Sequence, residues 1–294
     1  MKIVVTGHEG QVARSLVERA RDREGIEVTL VGRPELDLTR PQTVAPVLEA
    51  CRPDIVVSAA AYTAVDQAED EPELAFAIND AGAGAVADAA AGLGVPIIHL
   101  STDYVFDGIR KGAYTEDDRP APRGVYGASK LAGEQAVAAA NPRYLVIRTA
   151  WVCSPFGKNF VKTMLRLAGD RDEIAVVSDQ WGNPTSALDL ADGILAAASR
   201  LHRDRHFNAY GVYHLAGTGE TNWAGLARHV LAASRTCGGP HASVRDITTA
   251  DYPTKARRPA NSCLSTAKFH ATFGWLAPQW RPSFSDIVEQ LVKD

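Results

Sequence analysis

Short apolar runs alternate with alanine-rich amphipathic stretches through the first half of the chain. The predicted strands lie at residues 3–6, 27–31, 54–57, 96–101 and 144–149. The predicted helices lie at residues 11–22, 42–51, 74–93 and 125–139. The strands are rich in β-branched residues without polar alternation, as expected when both faces are buried. The alternation predicts an α/β fold of the Rossmann type, with a doubly wound parallel sheet that binds ligands beyond its carboxyl ends.

Beyond residue 150 the pattern loosens, and glycine, proline and tryptophan separate predicted helices at 160–169, 188–199 and 223–234. We predict a first domain over 1–150 and a smaller mixed α/β lobe over 151–294. Residues from about 182 to 213 are expected to return to the first domain.

Composition narrows the class of protein. The 294 residues are 46% hydrophobic and 22% charged, with a net charge of −4, so no broad basic surface is expected to hold nucleic acid or an anionic membrane. Four scattered cysteines favour reduced thiols. The chain shows neither a signal-peptide pattern nor an apolar run long enough to span a bilayer, and a cytoplasmic protein is expected.

The turn after the first strand contains a glycine pattern. Gly7 and Gly10 belong to the sequence GHEGQVA, in which Ala13 fills the third small position. Glycines at such a turn let the backbone approach a pyrophosphate, which then lies at the positive end of the following helix. The GxxGxxA pattern departs from GxGxxG, and an ordinary strand–helix turn would also explain it. Its position at the start of an alternating chain favours a dinucleotide-binding domain at 1–150, with 151–294 as mainly the substrate-binding lobe.

Residues that follow the second and third strands indicate which dinucleotide binds. Arg33 stands where an acidic residue would favour NAD, and a guanidinium there suits the 2′-phosphate of NADPH. A solvated loop charge is the alternative, and NADH is possible. Asp37 and Leu38 are candidates for contacts to the adenine. The segment 61–63, containing Ala61, Tyr62 and Thr63, is expected over the middle of the cofactor.

A tyrosine and a lysine on one predicted helix indicate the chemistry. Tyr126 and Lys130 are four residues apart and share a helical face. An ammonium beside a phenol lowers the pKa of the phenol toward the range a general acid needs. Thr102, at the end of the preceding strand, is placed to hydrogen-bond a substrate carbonyl.

Longer blocks carry a more specific resemblance. They are GHEGQVA, RPDIVVSAAAYTAVDQAEDEPELAFAIN, HLSTDYVFDG, VYGASKLAGEQA, IRTAWV, NFVKTMLRLA, VVSDQWGNPTSALDLAD, YHLAG and RRPANSCLSTAKF. They run nearly from end to end, and the chain resembles the dTDP-4-dehydrorhamnose reductase family of the extended short-chain dehydrogenases.

The resemblance implies reduction of the 4-keto group of dTDP-4-dehydro-L-rhamnose to dTDP-L-rhamnose. Tyr126 would then be the proton donor, Lys130 its partner and ribose anchor, and Thr102 the carbonyl partner. Asp103 and Trp151 would line the sugar. Contacts to the dinucleotide would come from Gly10, Gln11, Val12, Asp37, Leu38, Ala61, Tyr62 and Thr63. A reductase of another dTDP-4-keto-6-deoxysugar and a non-catalytic nucleotide-binding regulatory subunit are the alternatives.

Three further residues are candidates for the substrate, each with a second interpretation. Arg258 suits a diphosphate, or is a surface arginine in a proline-containing loop. Asn159 and Gln180 either bind nucleotide or sugar or are turn residues. His99, inside an apolar strand, is interpreted as a core residue.

One departure from the family concerns assembly. Some members dimerise through magnesium held by glutamates, and the corresponding positions here are Ser15 and Leu188, which are not ligands for a hard cation. No metal is expected, and the chain is predicted to be a monomer or a conventional homodimer.

Overall fold

The computed structural model describes residues 1–293. The first 150 residues form β1 (Lys2–Thr6), α1 (Gln11–Ala20), β2 (Glu27–Val31), α2 (Val44–Cys51), β3 (Ile55–Ser58), α3 (Val65–Ala68), α4 (Pro72–Phe76), α5 (Ala83–Gly92), β4 (Ile97–Thr102), α6 (Val125–Ala140) and β5 (Tyr144–Thr149). The rest forms β6 (Val152–Cys153), α7 (Phe160–Asp170), β7 (Glu173–Val177), β8 (Trp181–Gly182), β9 (Thr185–Ser186), α8 (Ala187–Arg203), β10 (Gly211–His214), β11 (Thr221–Asn222), α9 (Trp223–Thr236), β12 (Ser243–Ile247), β13 (Asn261–Ser262), α10 (Ala267–Phe273) and α11 (Trp280–Lys293).

Six parallel strands form the central sheet in the order β10-β5-β4-β3-β1-β2. Helices α1 and α8 pack on one face, and α2, α5 and α6 lie on the other. The predicted α/β fold with a doubly wound parallel sheet is confirmed. The strand order reverses between β1 and β3, and such a reversal opens a crevice at the carboxyl ends of the strands.

Segments beyond residue 150 form two kinds of structure. Strand β10 extends the central sheet beside β5, and α8 packs on α1. Helices α7, α9 and α11 enclose a second core that contains Trp280 and Phe284. Small sheets border this core, namely β11-β8-β13, β12-β7 and β6-β9. The domain boundary near residue 150 stays a prediction.

The helix predicted over 74–93 is interrupted by a π-helical segment, Ala77–Gly82. Asn79 lies in this segment, and its side chain is buried. A Cβ atom at Gly133 of α6 would lie 1.9 Å from the carbonyl oxygen of Asn79. The wider turn therefore brings the backbone of the segment against α6, at a position where α6 has no side chain.

Candidate active site

The turn between β1 and α1 has the backbone that a dinucleotide phosphate needs. Gly7 adopts a φ of +101°, which favours glycine, and its N–H donates to the carbonyl of Val31 at 2.6 Å. Gly10 precedes α1, and no side chain caps this helix. An uncapped helix start directs N–H groups and a positive partial charge toward a bound anion. The turn therefore fits a pyrophosphate.

Arg33 lies exposed just after β2 and has no ion-pair partner within residues 1–293. Its guanidinium is therefore available to a phosphate. Asp37, by contrast, is engaged: hydrogen bonds from Thr39 and the charge of Arg40 lower the pKa of its carboxyl group. Leu38 is buried against Gly82. Of these three predicted cofactor residues, Arg33 is the one with an unpaired polar group.

The loop after β3 is fixed by hydrogen bonds at both ends. Thr6 Oγ1 accepts from the backbone N–H groups of Ala59 and Ala60, each at 3.0 Å. Asn79 accepts from the N–H of Tyr62 at 2.8 Å and donates to its carbonyl at 3.0 Å. The predicted cofactor segment at 61–63 is thus held beside the carboxyl end of the sheet.

Two glycines allow α6 to lie very close to its neighbours. A Cβ atom at Gly127 would lie 2.1 Å from the carbonyl oxygen of Tyr104, which follows β4. Gly133 makes the approach to Asn79 described above. The sequence YGASKLAGE therefore places Tyr126 and Lys130 on a helix that is pressed against the end of β4.

Tyr126 is half-buried, and its ring meets that of Tyr104 edge-on with the centroids 5.5 Å apart. Burial raises the pKa of Tyr126 above its ordinary value, and the nearby hydroxyl of Thr102 lowers it. The phenol is therefore a neutral acid beside the end of β4. The nearby Asp103 and Tyr104 also raise this pKa.

Lys130 is buried and faces β4. Its Nζ donates to the carbonyl of Leu100 at 2.7 Å and lies 3.3 Å from His99 Nε2. Burial lowers the pKa of Lys130 to about 8, whereas the Glu134 carboxylate raises it. The predicted lowering of the Tyr126 pKa by Lys130 is not seen in this geometry, because the Lys130 ammonium is directed to Leu100 and His99 of β4 and is not among the groups that shift the phenol.

Thr102 is the last residue of β4, beside Tyr126, and Asp103 follows it. Thr102 Oγ1 donates to Asp103 Oδ1 at 3.1 Å and accepts from the N–H of Tyr104 at 3.2 Å. Burial raises the pKa of Asp103 to about 6, while the nearby hydroxyl groups of Ser262 and Thr102 lower it. The other oxygen of Asp103, Oδ2, is buried without a partner in the part of the chain described. A buried acceptor of this kind suits a sugar hydroxyl.

Trp151 has a φ of +49°, an uncommon conformation for a residue with a side chain. Its indole stacks on Trp223, with centroids 3.7 Å apart and planes 11° apart. Gly182 lies on the indole, where a Cβ atom would be 2.6 Å from the ring. Packing therefore holds the Trp151 backbone in its strained conformation.

Two of the predicted substrate residues, Asn159 and Gln180, form hydrogen bonds within the protein. Asn159 caps α7 by accepting from the N–H of Lys162, and its amide donates to Gln11 Oε1 at 2.9 Å. Gln180 donates to Thr249 Oγ1 at 3.0 Å. Asn159 thus has the turn role that was its alternative, and it ties the second lobe to the glycine turn.

Arg258 contacts Tyr104, whose ring packs against that of Tyr126. Its guanidinium pairs with Asp66 and donates to the hydroxyl of Tyr104 at 3.2 Å. With Arg123 and Arg257 it also lines a cavity beside Tyr104 and Gly124. Asp107 also lines this cavity, whose volume of about 10 Å³ is too small for a diphosphate, so the cavity as it stands is not a diphosphate site.

The positions compared with metal ligands do not offer a carboxylate. Ser15 is buried on α1, and Leu188 lies in the first turn of α8. No group of three histidine, cysteine, aspartate or glutamate side chains within residues 1–293 is placed to hold a metal ion.

A buried ionic network around Glu134, two turns after Tyr126 on α6, was not predicted from the sequence. Arg148 on β5 makes two hydrogen bonds to Glu134, at 2.9 and 2.7 Å, and Ser101 donates to the same carboxylate at 2.5 Å. The available signal was the spacing of Tyr126, Lys130 and Glu134, which are four residues apart on one helical face.

The parallel sheet, the glycine turn after its first strand, and a tyrosine and lysine one helical turn apart beside a strand-end threonine define a short-chain dehydrogenase of the extended class. The family model described as "RmlD substrate binding domain" matches residues 1–293. The chain belongs to the dTDP-4-dehydrorhamnose reductase family.

Individual relatives are similar to this chain over nearly its whole length. A dTDP-4-dehydrorhamnose reductase of Sinorhizobium fredii is 49% identical over 292 residues, covering 99% of this chain and 98% of the relative. The crystal structure of such a reductase from Clostridium acetobutylicum superposes with a TM-score of 0.91 at 35% identity, covering 99% of each chain. The crystal structure of the Bacillus anthracis reductase in complex with NADP superposes with a TM-score of 0.90 at 36% identity, covering 98% of this chain and 99% of the other.

Proposed function

We propose that this protein reduces the 4-keto group of dTDP-4-dehydro-L-rhamnose to give dTDP-L-rhamnose, with NADPH as the reductant. The observation that carries the proposal is the junction of β4 and α6, where the neutral phenol of Tyr126 lies beside Thr102 and where Lys130 follows one turn later on the same helix. Membership of the dTDP-4-dehydrorhamnose reductase family supports the choice of substrate. The NADP complex of the Bacillus anthracis reductase supports the choice of cofactor.

The cofactor fits the residues at the carboxyl edge of the sheet. The turn with Gly7 and Gly10, continued by Gln11 and Val12, would hold the pyrophosphate, and unpaired Arg33 would bind the 2′-phosphate. The loop 61–63 and Lys130 would contact the central part and the ribose. When bound, the nicotinamide supplies the hydride.

The protein supplies the proton. Because burial keeps the Tyr126 phenol protonated, it can donate to the carbonyl oxygen as negative charge develops there. Thr102 is placed to hydrogen-bond the same oxygen. The Lys130 ammonium, one turn further along α6, would stabilise the phenolate that forms.

The distant nucleotide would orient the ketone. In this proposal Arg258 exchanges Asp66 for the diphosphate, while Asp103 and Trp151 contact the sugar. Binding energy from the diphosphate would thereby position the reacting carbon.

Assembly and location complete the proposal. None of the helices in residues 1–293 is long and apolar enough to cross a membrane. We place the enzyme in the cytoplasm, where its four unbridged cysteines suit reducing conditions. It would act as a monomer or as a homodimer without a magnesium bridge, and its mass in solution should therefore not change with a chelator.

The direct test supplies purified protein with dTDP-4-dehydro-L-rhamnose and NADPH and follows cofactor oxidation. We expect turnover that depends on the sugar nucleotide. Turnover with another dTDP-4-keto-6-deoxysugar alone would identify a sibling reductase. No turnover, together with stoichiometric capture of a partner enzyme, would favour the regulatory subunit.

A further inference from the structure

His99 is buried in the middle of β4, and both of its ring nitrogens have partners. Nδ1 lies 3.0 Å from Ser58 Oγ, and Nε2 lies 3.3 Å from Lys130 Nζ. The proton donation described above makes no use of this imidazole. We propose that His99 is a positioning residue, which holds the Lys130 ammonium in place through its unprotonated Nε2 while Nδ1–H is anchored on Ser58.

The protonation of the ring follows from its neighbours. An ammonium can only donate, so Nε2 must accept and Nδ1 must carry the hydrogen. Ser58 Oγ, at the end of β3, can accept that hydrogen. Burial and the Lys130 charge lower the pKa of His99 well below its ordinary value, which keeps the ring neutral.

The same contacts divide the three N–H bonds of Lys130. One N–H donates to the carbonyl of Leu100 at 2.7 Å, and a second is directed to His99. The third is left for the cofactor ribose and the phenolate side of the site. Two fixed acceptors on β4 thus give a flexible side chain a defined direction.

The charged surroundings of Lys130 make the His99 contact important. Glu134, from the next turn of α6, raises the pKa of Lys130 but is itself paired with Arg148 from β5. Tyr126, on the preceding turn of α6, is neutral, and His99 is the titratable group that faces the ammonium from β4. A buried ammonium that loses an acceptor is disfavoured, so removal of the imidazole should lower the pKa of Lys130.

The inference rests on the proposed function for the role of Lys130, but its test needs no sugar substrate. NADPH affinity would be measured as a function of pH for the wild type, His99→Phe and His99→Gln. Phenylalanine fills the space without an acceptor, whereas glutamine offers an oxygen that can accept. His229→Phe is the matched control, because His229 lies in the second lobe and bonds to the carbonyl of Arg281.

NADPH affinity should fall at alkaline pH as Lys130 loses its proton. We expect the midpoint of this fall to lie about one pH unit lower in His99→Phe than in the wild type, because one hydrogen bond to a charged group is lost. His99→Gln should restore the wild-type curve to within about half a unit, and the control should match the wild type. Superimposable curves for wild type and His99→Phe, or equal shifts in both His99 variants, would overturn the inference.

Two further measurements test the inference without relying on the fold of His99→Phe. Nitrogen NMR of the wild-type histidines should show the Nδ1–H tautomer for His99, and an Nε2–H tautomer would refute the contact. If His99→Phe does not fold, Ser58→Ala removes the anchor alone and should shift the affinity curve in the same direction by less. An unchanged curve for Ser58→Ala would then count against the inference.

If the wild type binds NADPH with this pH dependence but does not reduce the sugar, the proposed function fails while the role of His99 stands.

Discussion

The two sides of the candidate site are built differently. On the side proposed for proton donation, Tyr126, Lys130 and Glu134 are spaced along one helix, and the last two are buried against β4 and β5. On the side proposed for the nucleotide, Arg258 pairs with Asp66, 192 residues away in the chain, and both side chains are partly exposed. The first side is fixed by burial and close packing. The second is held by ion pairs that water weakens, and such pairs contribute little to stability.

The largest effect should come from removing the acid. Tyr126→Phe keeps the ring and its contact with Tyr104 but has no proton to donate. We expect turnover to fall by about 100- to 10,000-fold, with NADPH affinity unchanged, as measured by single-turnover kinetics and fluorescence titration. Turnover at the wild-type rate would remove Tyr126 from its assigned role.

The buried ion pair below the tyrosine should control stability. Arg148→Met leaves the Glu134 carboxylate buried without its cation, and we expect a loss of about 3–5 kcal/mol in the free energy of unfolding. Urea denaturation measures it. The double variant with Glu134→Leu removes both charges and should recover much of the loss. A single variant as stable as the wild type would show that the pair does not fix α6 to the sheet.

Replacing Asp103 should stabilise the folded protein and lower its activity. Its pKa in the folded protein, about 6, lies above the ordinary 3.8, so the buried carboxylate destabilises the fold increasingly as the pH rises from 3.8 to about 6, and fully above that pH. Asp103→Asn should therefore raise the free energy of unfolding at neutral pH by up to about 3 kcal/mol, while turnover falls. The gain should shrink as the pH drops below 6 and vanish below about pH 4. A gain that does not change with pH would show that ionisation of Asp103 is not its source.

On the nucleotide side, Arg258→Gln should raise the KM for the sugar nucleotide by about 10- to 100-fold, because a charge-assisted contact to phosphate is lost. The kcat should change much less. Steady-state kinetics at saturating NADPH separate the two constants. A fall in kcat with an unchanged KM would place Arg258 in the chemical step instead.

The smallest effect should come from Asp66→Asn, which removes the charge that Arg258 gives up in the proposed complex. We expect KM to change by less than about threefold and stability by less than about 1 kcal/mol. The same kinetic and urea measurements apply. A loss as large as that of Arg258→Gln would mean that Asp66 belongs to the binding site.

The sequence allowed prediction of the features that depend on local spacing. The alternation of strands and helices led to the doubly wound sheet, and the four-residue interval led to the shared face of Tyr126 and Lys130. The pairing of Glu134 with Arg148 depends on β5 lying beside β4, which spacing along the chain does not reveal. The π-helical segment depends on the contact of Asn79 with Gly133, and the cap formed by Asn159 depends on how α7 begins. His99 was expected in the core, and its burial is observed, but its contact with Lys130 required the packing of α6.

The most direct test of the central claim follows the hydride and the proton in the product. The protein would be supplied with dTDP-4-dehydro-L-rhamnose and NADPH deuterated at the reactive face of the nicotinamide, and the product would be analysed by mass spectrometry and NMR. We predict dTDP-L-rhamnose carrying one deuterium at C4 of the sugar, formed by the wild type and lost with Tyr126→Phe. A product without deuterium at C4, or equal formation by both proteins, would contradict it.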